Sequence, residues 1–118
     1  MNPIKVLLFI EVRLIANLFA SVLEDEPGME IAGVVSTVED ATEFLQRQPV
    51  DVALVSADLP DHQALKFTQS TMECSPSTKV VVLGLSEENQ HDALRYIEAG
   101  AAGYILKDSS LKELIDVI

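Results

Sequence analysis

Residues 98–108 have the sequence Glu-Ala-Gly-Ala-Ala-Gly-Tyr-Ile-Leu-Lys-Asp, in which a helix should end and a short apolar strand should follow. Gly100 is a typical helix stop, because glycine adopts the left-handed conformation that ends many helices. The apolar run Tyr104–Leu106 then ends at Lys107. Three similar runs precede it, namely Val6–Ile10 before Glu11, Val52–Val55 before Ser56 and Val80–Leu83 before Gly84.

The segments between these runs have helical periodicity, so strands and helices alternate along the chain. In the first helical segment, Arg13–Glu24, the residues Leu14, Ile15, Leu18, Phe19, Val22 and Leu23 follow helical spacing. The other predicted helices run from Thr37 to about Arg47, from about Ala64 to Glu73, from Ser86 to Ala99 and from Ser110 onward. The predicted strands are Lys5–Ile10, Met29–Val35, Val50–Ser56, Lys79–Gly84 and Gly103–Lys107. This pattern predicts a doubly wound α/β fold of the flavodoxin-like type, with a five-stranded parallel sheet in the order 2-1-3-4-5.

Composition limits the classes of function. The 118 residues are enough for one domain with a real core. The net charge of −11, with only eight Lys and Arg, argues against direct nucleic-acid binding by this segment. Cys74 is the only cysteine, which excludes an intramolecular disulfide and suits a reducing cytoplasm. The first residues of this sequence lack the basic and long apolar regions expected of a signal peptide, and no apolar stretch approaches the roughly 20 residues needed to cross a membrane.

The last predicted helix has no stop signal before Ile118. Helices usually extend for about three turns. We therefore expect residues 1–118 to be the N-terminal domain of a longer protein.

The carboxyl ends of parallel strands meet at one rim of the sheet, where α/β proteins bind their ligands. Glu11, Ser56, Gly84 and Lys107 should therefore converge there. The stretch 98–108, with Val50–Pro60 and Lys79–Leu85, resembles the receiver domain of two-component response regulators over essentially the whole chain. Residues 98–108 resemble the subfamily whose receivers precede a C-terminal LuxR-type helix-turn-helix that binds DNA.

The resemblance implies Mg2+-assisted phosphoryl transfer to an aspartate at the end of the third strand. Two acidic residues after the first strand and the acceptor aspartate would hold the metal, and a lysine and a Thr or Ser would bind the phosphoryl oxygens. This sequence departs from that pattern at several positions. Ile10-Glu11 stands at the acidic pair, Ser56 at the acceptor, Gly84 at the hydroxyl position and Ala64 at a usual glycine; Glu11, Lys107 and the switch aromatic Tyr104 remain.

This degenerate pocket predicts no catalytic residue, no metal site and no cofactor. Glu11 is expected to pair with Lys107. Asp58 is an alternative acceptor, but it lies two residues late against the Leu59-Pro60 anchor. Ser56 as acceptor would need a neighbouring base, and no histidine is close to it in the sequence. A flavin enzyme is disfavoured because the turn Glu11-Val12-Arg13 has no Gly, Ser or Thr to hold a phosphate.

We therefore interpret the chain as a non-enzymatic, phosphorylation-independent regulatory and interaction module that controls a DNA-binding output domain. Its expected partners are a second copy, through the last helix together with either the first helix or the fourth helix and fifth strand, and a protein or small ligand at the rim. The alternative is a working phosphoacceptor switch in a phosphorelay that uses Asp58 or Ser56.

Overall fold

The computed structural model describes residues 3–59, 62–84 and 93–106. In these ranges, five parallel strands form one sheet in the order β2-β1-β3-β4-β5, which confirms the predicted topology. The strands are β1 (Ile4–Phe9), β2 (Met29–Val35), β3 (Val52–Ser56), β4 (Lys79–Gly84) and β5 (Gly103–Leu106). The helices are α1 (Arg13–Glu24), α2 (Val38–Arg47), α3 (Gln63–Cys74) and α4 (Ala93–Glu98).

The predicted bounds of α1, β2 and β4 match the structure, whereas β1 and β3 are shifted. β1 runs from Ile4 to Phe9 instead of from Lys5 to Ile10, and β3 begins at Val52 instead of Val50 but ends at Ser56 as predicted. Ahead of β3, Asp51 forms two hydrogen bonds with Lys5. The Asp51 side chain accepts the Lys5 N–H at 2.8 Å, and the Asp51 N–H donates to the Lys5 carbonyl at 3.0 Å. The predicted helix start at Ser86, the residue Lys107 and the last helix lie outside the described residues.

The sheet is buried on both faces, as parallel sheets usually are. One face packs under α1; its core consists of Val6, Leu8, Ile10, Ala16, Leu23, Val52, Leu54, Val81, Leu83 and Ile105. We call the core on the other face the α2–α4 core; it includes Leu7, Phe9, Ala41, Val55, Ala64, Phe67, Val80, Val82 and Tyr96. Phe9 and Phe67 meet there edge to face, with ring centroids 5.2 Å apart. These two cores fix the strands and therefore the positions of the strand ends.

Helix α2 begins where the sequence predicts. The Thr37 hydroxyl accepts the Asp40 N–H at 3.1 Å, which satisfies one of the unpaired donors of the first turn. Near its end, Arg47 forms an ion pair with Glu43 one turn earlier. Capping and pairing thus both favour the observed helix.

Helix α1 differs from the amphipathic pattern that its sequence suggests. Ala16 and Leu23 are buried, whereas Leu14 and Leu18 are 69% and 59% exposed. The helical spacing of apolar residues correctly indicated the helix and the inward stripe of Ile15, Phe19 and Leu23, but it did not indicate that Leu14 and Leu18 are exposed. None of the helices in the described ranges has the length and apolarity required to span a membrane.

Candidate functional site

Ser56 is the last residue of β3, the central strand of the sheet, and is 2% exposed. Its hydroxyl donates to Oε1 of Glu11 at 3.5 Å, a long contact, and accepts the backbone N–H of Asp58 at 3.2 Å. The structure therefore brings Glu11 and Ser56 together at the rim, as the parallel strands predict. The Ser56 hydroxyl is engaged both as donor and as acceptor.

Glu11 is partly buried just beyond the end of β1. Its Oε2 atom is buried and has no hydrogen-bond partner in the described ranges, which stop before Lys107. The predicted pairing of Glu11 with Lys107 therefore lies outside the described residues and stays a prediction.

Ile10 packs in the core beneath α1, at the edge of the open rim. It is 2% exposed and packs with that core, while its N–H donates to the Val35 carbonyl at 3.3 Å. An alkyl side chain in this position offers no ligand to a cation. Ile10, which stands at the first position of the acidic pair that the resemblance implies, thus supplies packing and no metal ligand.

Gly84 ends β4, and the ring of Tyr104 lies directly against it. A Cβ atom built on Gly84 would lie 2.5 Å from Cζ of Tyr104 and nearer still to its hydroxyl. Tyr104 is partly buried and packs against the α2–α4 core. The two residues therefore share one volume: the space left by the missing side chain at Gly84 holds the tyrosine ring.

Asp58 is exposed and lies two residues beyond the end of β3. Its backbone contacts the Ser56 hydroxyl, but Ser56 itself occupies the strand end. Asp58 therefore does not stand where the resemblance places the acceptor. Ala64, at the predicted glycine position, is fully buried in the first turn of α3.

The rim residues that the structure describes do not fit Mg2+. This hard ion requires several oxygen ligands, and protein sites normally supply carboxylates. Glu11 provides one carboxylate, and one of its oxygens accepts a hydrogen bond from the Ser56 hydroxyl. Across ranges 3–59, 62–84 and 93–106, no three His, Cys, Asp or Glu side chains are grouped to hold a metal ion.

A surface cleft of about 430 Å³ lies beside Glu11, between the end of β1 and the edge strand β2. Its lining combines apolar, hydroxyl, amide and charged side chains, from Ile10, Glu11, Arg13, Asn17, Val34, Val35 and Ser36. The cleft is open to water and large enough for a small molecule or a peptide side chain.

Two features of the rim escaped the sequence interpretation. One is the hydrogen bond from the Asp58 N–H to the Ser56 hydroxyl. The sequence signal for it was a serine at the start of a loop, because serine side chains often accept the N–H two residues ahead in a turn. The other is the fit of Tyr104 against Gly84. A glycine on one strand and an aromatic residue on the next was the available signal.

Comparisons with known proteins agree with the fold. The family model described as "Response regulator receiver domain" matches residues 6–118. The chain is 30% identical over 115 residues to the response regulator GacA of Pseudomonas aeruginosa, covering 98% of this chain and 53% of that protein. It is also 30% identical over 114 residues to a protein-glutamate methylesterase/protein-glutamine glutaminase of Rhodospirillum centenum, covering 96% of this chain and 29% of that protein. The chain thus spans at most about half the length of these two relatives.

Solved structures show the same fold. The receiver domain of the response regulator NarL from Mycobacterium tuberculosis superposes with a TM-score of 0.85 at 20% identity, covering 98% of this chain and 96% of that one. A two-component response regulator of the LuxR family from Aurantimonas gives a TM-score of 0.86 at 17% identity, covering 98% and 81%. With the parallel sheet order and the match over residues 6–118, these findings establish that the chain belongs to the response regulator receiver domain family.

Proposed function

We propose that this receiver domain takes up no phosphoryl group and acts as a phosphorylation-independent regulatory and protein-interaction module. The observation that carries the proposal is the environment of Ser56. It stands where we align the family's acceptor aspartate, it is 2% exposed, and its hydroxyl is bonded to Glu11 and to the Asp58 backbone.

The chemistry at Ser56 also opposes phosphoryl transfer. A serine hydroxyl is a weak nucleophile unless a base removes its proton. Among the described residues that bond to the Ser56 hydroxyl, Glu11 is the only carboxylate, and the two groups are joined by a long hydrogen bond of 3.5 Å. A phosphodonor would also have to reach an atom that is almost fully buried.

Charge provides a second argument. Transferring a phosphoryl group requires neutralisation of its oxygens, which Mg2+ and cationic side chains normally provide. Ile10 and Gly84 supply neither a carboxylate for the metal nor a hydroxyl for the phosphoryl oxygen. The chain as a whole carries a net charge of −11, which repels an anionic donor.

The test is incubation with acetyl phosphate and Mg2+, followed by intact-mass spectrometry. We expect the wild-type chain to keep its mass, while a receiver with an intact acceptor aspartate gains one phosphoryl group in parallel. Ser56→Ala and Asp58→Asn serve as site controls. If the wild-type chain gains a phosphoryl group and either variant does not, the alternative is established: a phosphoacceptor switch in a phosphorelay.

We further propose that, in the complete protein, this domain controls a C-terminal DNA-binding domain in the cytoplasm. Support comes from the 30% identity to GacA, of which the chain covers 53%, and from the similarity to a LuxR-family regulator. Gel-shift titration of the complete protein against its promoter DNA tests this. Removal of residues 1–118 should change the affinity for DNA, whereas acetyl phosphate should leave it unchanged. An affinity for DNA that is the same with and without residues 1–118 contradicts the proposal.

The rim and the exposed helices are the surfaces proposed for partners. The cleft beside Glu11 could receive a small ligand or a side chain of a partner protein. A second copy of the chain would use the last helix together with α1 or with α4 and β5. Exposed apolar residues on α1 (Leu14 and Leu18) and on α4 (Leu94 and Ile97) support self-association.

A further inference from the structure

The position of the Tyr104 ring follows from the register of two neighbouring strands. Tyr104 on β5 pairs with Val82 on β4, and Gly84 lies two residues further along β4. Because strand side chains alternate, Val82 and position 84 share one face of the sheet. Diagonal neighbours on adjacent strands are within reach of an aromatic side chain. Tyr104 therefore extends along the sheet over Gly84.

The contact leaves no room for a side chain at position 84. Cβ atoms essentially never approach other heavy atoms within 3.0 Å, yet one built on Gly84 would lie 2.5 Å from Cζ of Tyr104. The overlap involves the ring itself, which cannot bend away as a flexible chain end can. Any other residue at position 84 would have to displace the ring.

Tyr104 also contacts helix α4. The ring of the buried Tyr96 lies 5.7 Å from that of Tyr104, measured between centroids, with the planes tilted by 40°. Tyr104 thus lies between Gly84 of β4 and Tyr96 of α4. The position of its ring is part of the packing that holds α4 against β5.

We infer that the absence of a side chain at Gly84 leaves the space in which packing against Tyr96 and the α2–α4 core holds Tyr104 in one inward position, and that this fixed ring sets the surface formed by α4 and β5. The aromatic residue that the family uses as a switch is here a permanent packing element. The surface, which presents Leu94 and Ile97, keeps one arrangement irrespective of events at Ser56.

Fluorine NMR of the chain labelled with 3-fluorotyrosine tests the ring position directly. The chain has two tyrosines, so Tyr96→Phe assigns the Tyr104 signal. We expect one Tyr104 resonance with a small solvent-isotope shift in the wild type. Gly84→Ala should move this resonance and increase its solvent-isotope shift. A Tyr104 ring that is already solvent-exposed or in exchange in the wild type, or one that Gly84→Ala leaves unchanged, overturns the inference.

Gly33→Ala is the matched control. Gly33 lies on β2 beneath the Phe44 ring, whose Cε2 atom would be 2.6 Å from an added Cβ. The same substitution under another aromatic ring should leave the Tyr104 resonance in place. An equal displacement of Tyr104 by Gly33→Ala would mean that general destabilisation moves the ring, and would count against the inference.

A double-mutant cycle keeps the test decisive if Gly84→Ala folds poorly. With Tyr104 present, Gly84→Ala should lower the folding equilibrium constant by about tenfold or more, since overpacking is costly. With Tyr104→Ala, the same change should lower it by less than about threefold. Equal losses in both backgrounds, or a double variant that does not fold while Tyr104→Ala does, overturn the inference. The cycle uses no phosphodonor, so its failure is separate from failure of the proposed function.

Discussion

The backbone N–H of Asp58 donates to the hydroxyl of Ser56 at 3.2 Å, so the loop after β3 is bonded to the last side chain of the strand. Serine often makes this bond to the N–H two residues ahead, which stabilises a turn. Because the same hydroxyl also donates to Glu11, Ser56 connects the end of β3, its loop and the end of β1. This is a structural role that needs no phosphoryl group.

Ser56→Ala should therefore lower the free energy of unfolding by about 1 kcal/mol, the usual cost when a hydrogen bond is removed and its partner is left unsatisfied. Urea denaturation measures the change. Ser21→Ala makes the same chemical substitution at an exposed position of α1 and should stay within about 0.5 kcal/mol of wild type. Equal stabilities for Ser56→Ala and wild type would show that the Ser56 bonds contribute nothing.

An aspartate at position 56 alone should not confer phosphoryl transfer. We expect Ser56→Asp to gain no phosphoryl group from acetyl phosphate, because Ile10 and Gly84 still lack a metal ligand and a hydroxyl. The triple variant Ile10→Asp, Ser56→Asp and Gly84→Thr should bind Mg2+ measurably, since Glu11 already lies beside position 56. NMR titration with Mg2+ and mass spectrometry give the two readouts. Phosphorylation of the single variant would contradict this prediction.

The triple variant should also be less stable without Mg2+. It places a carboxylate at the buried Ile10 position, and such burial costs about 3 kcal/mol or more when the charge is unpaired. Mg2+ should restore part of that loss by binding the folded state. In a control triple with Asn at positions 10 and 56, Mg2+ should have no effect on the melting temperature. A control that responds to Mg2+ as the carboxylate triple does would rule out a restored site.

Self-association should depend on one of two exposed apolar pairs. Leu14→Glu with Leu18→Glu changes α1, and Leu94→Glu with Ile97→Glu changes α4. We expect one pair to raise the dissociation constant of the dimer by at least about tenfold and the other to leave it unchanged, since few interface residues carry most of the affinity. Sedimentation velocity over a range of concentrations distinguishes them. A wild-type chain that stays monomeric at high concentration contradicts the prediction.

Thr37→Ala should destabilise the domain by about 1 kcal/mol, because it removes the hydroxyl that accepts the Asp40 N–H at the start of α2. Thermal or urea unfolding provides the value. Thr42→Ala, inside the same helix, is the control and should cause no loss, because alanine has the higher helix propensity. Similar losses in both variants would show that the cap is not the cause.

The sequence alone was enough to predict the alternation of strands and helices, the sheet order and several element ends. Arg13–Glu24 and Met29–Val35 were predicted residue for residue, because the Pro27-Gly28 turn between them interrupts both patterns. The capping role of Thr37 was equally local, since a cap and its partner are three residues apart. Even the meeting of Glu11 and Ser56 followed, because parallel strands end at one rim.

Only the tertiary structure decided how the side chains at that rim use their space. Tyr104 covers Gly84 because its ring adopts an orientation set by packing between β4 and β5, and the two residues are 20 positions apart in the chain. Hydrophobic periodicity contains no information about such side-chain rotamers. The same limit explains α1. Helical spacing shows that Leu14 and Leu18 lie on one apolar face of the helix. How much of that face is buried depends on what packs against it. Local pattern thus determined the elements, whereas long-range packing determined which side chains are fixed, bonded or exposed.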